Sequence, residues 1–122
     1  MQVETVDFVS VLTQDIPRAK QFYGEMLGLP IETEGENDLE FTLGQVTLDV
    51  FNPASVGQEF APSPAGIAIR VPDVAAARAE LEAKGVQFDG EIVDTGVCHF
   101  AFFQDPDGNK LMLHRRYAPR ER

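Results

Sequence analysis

Cysteine is nearly absent: Cys98 stands alone in 122 residues. Neither an internal disulfide nor a cysteine-based zinc site can form within one chain. Basic residues are scarce as well. Ten Lys and Arg face twenty Asp and Glu, and the formal charge of −10 repels a phosphate backbone or an anionic lipid surface over most of the molecule. Nucleic acid and membrane are therefore not expected as partners. Long apolar runs are missing too: no stretch reaches the roughly 18 residues of a spanning helix, and the opening MQVETVDFVS has no basic segment leading into an apolar one. A soluble, cytoplasmic protein is expected. The basic residues that do occur gather at the end, where Arg115, Arg116, Arg120 and Arg122 stand beside only Glu121. A tail this short, residues 118–122, reads as solvated or paired with the acidic body.

What is present is ordinary globular material, with 43% hydrophobic and 25% charged residues. That composition supports one folded domain with a single core. Alternation over 5–12 predicts a strand, and Asp15 then offers a helix N-cap with Pro17 in the first turn. Ile16, Ala19, Phe22, Tyr23, Met26 and Leu27 recur at helical spacing for about three turns until Gly28 stops them. A strand over 29–32 follows, then an acidic stretch in which Glu32, Glu34, Glu36, Asp38 and Glu40 fall on every second residue. Such spacing reads most simply as the solvent side of a strand and its turn. Strands over 38–43 and 45–51 meet at a tight Gly44-Gln45 turn.

Pro53, Pro62, Pro64 and Gly57 mark residues 53–64 as a linker between a module at 5–52 and another at 65–117. The second module repeats the grammar of the first. It has a strand over Gly66–Val71, an N-cap at Asp73, a helix through Val74, Ala77 and Leu81 and a stop at Gly85. Strands over 86–89, 97–103 and 110–116 complete it, the last two joined by the turn chemistry of Asp105-Pro106-Asp107-Gly108-Asn109. Phe8 falls on Gly66 and Asp15 on Asp73 at one offset of 58 residues, and Gly28 falls on Gly85 after a one-residue slip. The fold class is therefore α+β, built from two copies of a βαβββ unit. One helix covers one face of each unit's sheet, so the units must close against each other within the chain or across a dimer.

Strand parity separates the faces. Ile67, Ile69 and Val71 suit the helix side, which leaves Gly66, Ala68 and Arg70 opposite. Val46, Leu48 and Val50 likewise leave Thr47, Asp49 and Phe51, and Leu111 and Leu113 leave Met112 and His114. With Phe8 and Ser10 these residues make a mostly apolar face carrying a few polar groups, the composition of a small-molecule pocket. An Asp49–Arg70 ion pair inside it would satisfy both groups without any functional role. Cys98 and His99 are adjacent, so they point to opposite faces and cannot readily act as one nucleophilic dyad. Parity alone leaves open which of the two faces the pocket.

The segments FYGEMLGLP at 22–30 and DPDGNKLML at 105–113, with the duplicated βαβββ pattern, resemble the vicinal oxygen chelate superfamily. That group includes glyoxalase I, extradiol dioxygenases, methylmalonyl-CoA epimerase, fosfomycin resistance enzymes and bleomycin resistance proteins. The resemblance covers residues 5–116 and implies an open, barrel-like mixed sheet around a cavity. The superfamily's metal enzymes place His or Glu ligands at four strand positions, and these fall here on Phe8, Asp49, Gly66 and Met112. Only Asp49 can bind a hard cation, so no cofactor is expected. A divalent metal held by Asp49 and His114 is the variant of that expectation. The resemblance also turns Phe100 and Phe102 inward with Cys98 and sends His99 away.

Two functions follow from this. The first is a metal-free protein that binds a small, partly aromatic molecule among Phe8, Ser10, Phe51, Ala68, Cys98, Phe100, Phe102 and Met112, as bleomycin resistance proteins do, with a homodimer implied by the same likeness. The second is an isomerase, lyase or dioxygenase-type enzyme, with Asp49 or His114 as acid–base group or unusual metal ligand and Arg70 stabilising a developing oxyanion.

Overall fold

The computed structural model describes residues 1–120; Glu121 and Arg122 of the expected basic tail lie outside the described residues. The chain divides into two compact units, residues 1–63 and a second that begins at Pro64. The first unit contains β1 (Phe8–Leu12), α1 (Ile16–Ala19) and the strands β2 (Ile31–Glu34), β3 (Asp38–Leu43) and β4 (Val46–Phe51). Its four-stranded sheet has the order β1-β4-β3-β2, with β1 parallel to β4 and the remaining pairs antiparallel. The second unit contains β5 (Ile67–Arg70), α2 (Val74–Ala83), β6 (Phe88–Asp94), β7 (Cys98–Gln104) and β8 (Lys110–Arg116). Its sheet, β5-β8-β7-β6, repeats the pattern with β5 parallel to β8. Both units are βαβββ, so the α+β architecture expected from the repeat is the one observed.

Each helix is capped as its sequence requires. The Asp15 carboxylate accepts from the Arg18 amide at 3.0 Å, and Asp73 accepts from the Ala76 amide at 3.0 Å. Gly28 and Gly85 end the helical segments at φ +74° and +95°, conformations that a side chain would strain. The chain is then tied back to the helix it has just left. Leu29 donates its amide to the Tyr23 carbonyl and Val86 to that of Leu81, and both Leu29 and Val86 are buried. For that reason β2 and β6 begin at Ile31 and Phe88, two residues later than alternation predicts. β6 also runs on to Asp94, through a register shift between Asp89 and Val93, and β1 starts at Phe8 instead of residue 5.

The first helix differs from expectation in kind. Only Ile16–Ala19 is α-helical; Lys20–Met26 is a π-helical stretch, and the Leu27 amide reaches back five residues to the Phe22 carbonyl at 2.9 Å. Apolar spacing does not separate the two forms, because both bury Phe22 and Tyr23. Tyr23 packs on Phe41 of β3 with ring centroids 5.8 Å apart.

The cores lie between helix and sheet. In the first unit Val11, Leu39, Phe41, Leu48 and Val50 are buried. In the second, Val74 and Leu81 of α2 are buried together with Ala101, Phe103, Leu111 and Leu113. The Asp105–Asn109 turn is fixed from within: the Asp105 carboxylate accepts from the Asp107 and Asn109 amides and from the Asn109 side chain, at 2.7–2.9 Å.

Alternate residues of β7 thus have separate duties. Phe103→Ala removes a fully buried ring and is expected to cost ~3–5 kcal/mol in urea unfolding, whereas Phe102→Ala, on the half-buried opposite face, should cost about 1 kcal/mol or less.

Candidate functional site

A helix on one face of each sheet leaves the other face to carry chemistry. Cross-strand register assembles that face in rows. In the second unit Arg70 of β5 is in register with His114 of β8, which is in register with Phe100 of β7; the neighbouring row is Ala68, Met112 and Phe102. The Phe100 and Phe102 rings are parallel within 5°, with centroids 5.9 Å apart, and the His114 ring lies 4.7 Å from Phe100. All four of Phe100, Phe102, Met112 and His114 are half-buried, and Arg70 is exposed. Cys98 is buried at the same parity, at the start of β7.

In the first unit the corresponding rows are Ser10, Asp49 and Glu40, and Leu12, Phe51 and Asp38. Asp38, Glu40 and Asp49 each present a carboxylate oxygen, all within 4.8 Å of one another. They line a cleft of about 440 Å³ with Phe8, Thr47, Gln45 and Asp7. Phe8, at its rim, is 59% exposed. Partial burial and then the neighbouring Asp38 charge raise the Asp49 pKa; a hydrogen bond from the Ser10 hydroxyl, 3.3 Å away, works in the opposite direction, and Glu40 adds to the rise.

Asp38 and Glu40 were not among the expected site residues, because their spacing marked them only as a solvent face. The signal was there in the turn: two residues at Gly44-Gln45 pair Leu43 with Val46 and so, three steps further, place Glu40 opposite Asp49. The partner found for Asp49 is Ser10 of its own unit, while Arg70 belongs to the second unit. Phe8, Ser10, Asp49 and Phe51 share the first unit's face; Ala68, Arg70, Phe100, Phe102, Met112 and His114 share the second's.

A further cluster lies outside these faces. Asp94 accepts from the Tyr117 hydroxyl at 2.8 Å and approaches His99 Nε2 at 3.3 Å, and the His99 and Tyr117 rings are 4.7 Å apart. The Gly96 amide, followed by Tyr117, holds the Asp94 pKa down, and donation to Asp94 raises that of Tyr117. Tyr117 also donates its amide to the Val97 carbonyl, so the cluster clasps the end of β8 to the β6–β7 turn.

The four metal positions implied by the superfamily resemblance provide a poor donor set. Phe8 has a ring, Gly66 has no side chain and Met112 has a thioether, which leaves one carboxylate, Asp49. Gly66 also has φ +78°, a conformation that strains any side chain; a Cβ there would sit 2.9 Å from Met112 Cε, the end of a flexible side chain that can shift. The oxygen-only trio of Asp38, Glu40 and Asp49 is instead the donor type suited to a hard cation such as Ca²⁺ or Mg²⁺.

Comparisons with known proteins agree with this architecture. The family model described as Glyoxalase/Bleomycin resistance protein/Dioxygenase superfamily matches residues 5–113. No curated protein matches the chain. Among solved structures, TnmS3, an antibiotic binding protein from Streptomyces sp. CB03234, is 28% identical with a TM-score of 0.78 and covers 95% of this chain and 98% of its own. A glyoxalase/bleomycin resistance protein from the same Streptomyces is 28% identical with a TM-score of 0.73, covering 91% of this chain and 100% of its own. The lactoylglutathione lyase of Agrobacterium tumefaciens, at 16% identity and a TM-score of 0.79 over 93% of this chain and 94% of its own, shares the fold.

The raised Asp49 pKa has a sign that can be tested. The folded state favours the neutral acid, so this group's contribution to stability is complete below the ordinary carboxylate pKa and is lost as pH rises through the raised value. Asp49→Asn should therefore increase stability at pH 7 by about 0.5 kcal/mol, the size of a screened cross-strand like-charge contact. In urea unfolding at low salt the gain should vanish below about pH 4.

Proposed function

The chain belongs to the glyoxalase/bleomycin resistance protein/dioxygenase superfamily, and from that membership we propose that it is a metal-free, non-catalytic protein that binds a small, partly aromatic molecule. The observation that carries this reading is the replacement of hard donors at three of the four metal positions implied by the resemblance. Phe8, Gly66 and Met112 cannot hold a divalent ion with Asp49, and the φ of +78° at Gly66 disfavours a ligating side chain there. In place of ligands the second unit presents Phe100, Phe102 and Met112, large and polarisable groups that offer contact area to a planar molecule. The likeness to the antibiotic binding protein TnmS3, at 28% identity over nearly the whole of both chains, supports binding over turnover.

A second reading is favoured by Asp49. Its raised pKa, in a cleft beside Asp38 and Glu40, is the setting of an acid–base group. In that case the protein catalyses an isomerase or lyase step beside a carbonyl, and Asp49→Asn abolishes turnover with the fold intact. Under the binding reading, the same substitution leaves ligand retention in place.

Native mass spectrometry of protein purified without an affinity tag or chelator tests the metal-free binding reading. The expected spectrum is a homodimer free of metal and carrying an organic ligand. One divalent ion per subunit would overturn the metal-free reading and turn attention to the Asp38, Glu40 and Asp49 oxygens.

A further inference from the structure

The second unit's helix-free face is polar in a directional sense. Its cross-strand rows begin at Arg70 and run through His114 to the aromatic pair Phe100 and Phe102. A second guanidinium joins the same end. Arg116 is two residues beyond His114 on β8 and therefore on the same face, in register with Cys98. Its Nε is buried and has no hydrogen-bond partner among the described residues, while its terminal nitrogen donates to the Pro119 carbonyl at 3.3 Å. A buried guanidinium N–H without an acceptor is costly, and an incoming oxyanion relieves that cost. The carboxylate in register on this face, Asp89, stands at the opposite end, beside Phe102.

We infer that this face takes a planar aromatic monocarboxylate, with its carboxylate toward Arg70, His114 and Arg116 and its ring over Phe100, Phe102 and Met112. The inference rests on the binding reading above and gives it a ligand class. Arginine recognises a carboxylate through paired, charge-assisted hydrogen bonds, and the aromatic rings and thioether supply the dispersion contact for a flat ligand. His114, whose ring lies 4.7 Å from that of Phe100, adds a ring N–H donor beside the guanidinium. A single negative charge is the limit that the rest of the molecule sets, since the net charge of −10 opposes a polyanion.

The test is calorimetric titration of the full chain with 2-naphthoate and with 2-naphthamide, which have the same ring system and differ in charge. The wild type should bind the acid at least about tenfold more tightly than the amide. Arg70→Gln, a change at an exposed side chain, should reduce that preference to about twofold while leaving the circular dichroism spectrum unchanged. Equal binding of the two probes, or a preference that survives both Arg70→Gln and His114→Gln, overturns the inference and leaves the binding reading standing. Binding of neither probe also overturns the inference; the binding reading then depends on whether natively purified protein carries an organic ligand.

Discussion

Strand side chains alternate between faces, and each four-stranded sheet here has a single helix to cover it. Everything else in the molecule depends on that inequality. One set of alternate residues must be apolar to bury against the helix, and the other set is released from that duty. The released set can then carry charge, aromatic surface or ligand-binding groups without loss of fold. Phe103 and Phe102, adjacent on β7, illustrate the division: the first is fully buried and the second remains accessible.

The two units keep the first set and exchange the second. Val11, Val50 and Leu39 form one core row in the first unit, and Ile69, Leu113 and Ala101 form its counterpart in the second. On the other face, Ser10, Asp49 and Glu40 correspond to Ala68, Met112 and Phe102, while Leu12, Phe51 and Asp38 correspond to Arg70, His114 and Phe100. The acidic positions of the first unit are thus aromatic or thioether in the second, and the apolar Leu12 and Phe51 give way to Arg70 and His114. A duplicated fold has kept its packing requirement and allowed the chemistry of its free faces to diverge, as expected where function resides in residues added to a common scaffold.

Much of this was legible in the sequence, because the strongest signals come from burial. Alternation, the Asp15 and Asp73 caps, the Gly28 and Gly85 stops and the 58-residue offset were enough to define two βαβββ units and to separate the faces of β4, β5 and β8. The π-helical stretch was not legible, since one extra residue per turn hardly alters which aromatic rings are buried. Nor was the displacement of β2 and β6, which depends on the amides of Leu29 and Val86 bonding back into the preceding helix. The acidic trio was half legible: alternation marked Asp38 and Glu40 as facing away from the core, but only pairing across the Gly44-Gln45 turn brings them to Asp49. The Asp94–His99–Tyr117 clasp joins residues from two strands and the chain after β8, and no local pattern predicts it.

Binding of a flat organic anion to the helix-free face of the second unit, without a metal, is open to direct observation. Amide-resolved NMR of isotope-labelled protein, titrated with 2-naphthoate in the presence of a chelator, tests it most directly. Saturable shift changes are expected on β5, β7 and β8, around Arg70, Phe100, Phe102 and His114. Changes centred instead on Asp38, Glu40 and Asp49, or changes that appear only when a divalent cation replaces the chelator, would contradict it.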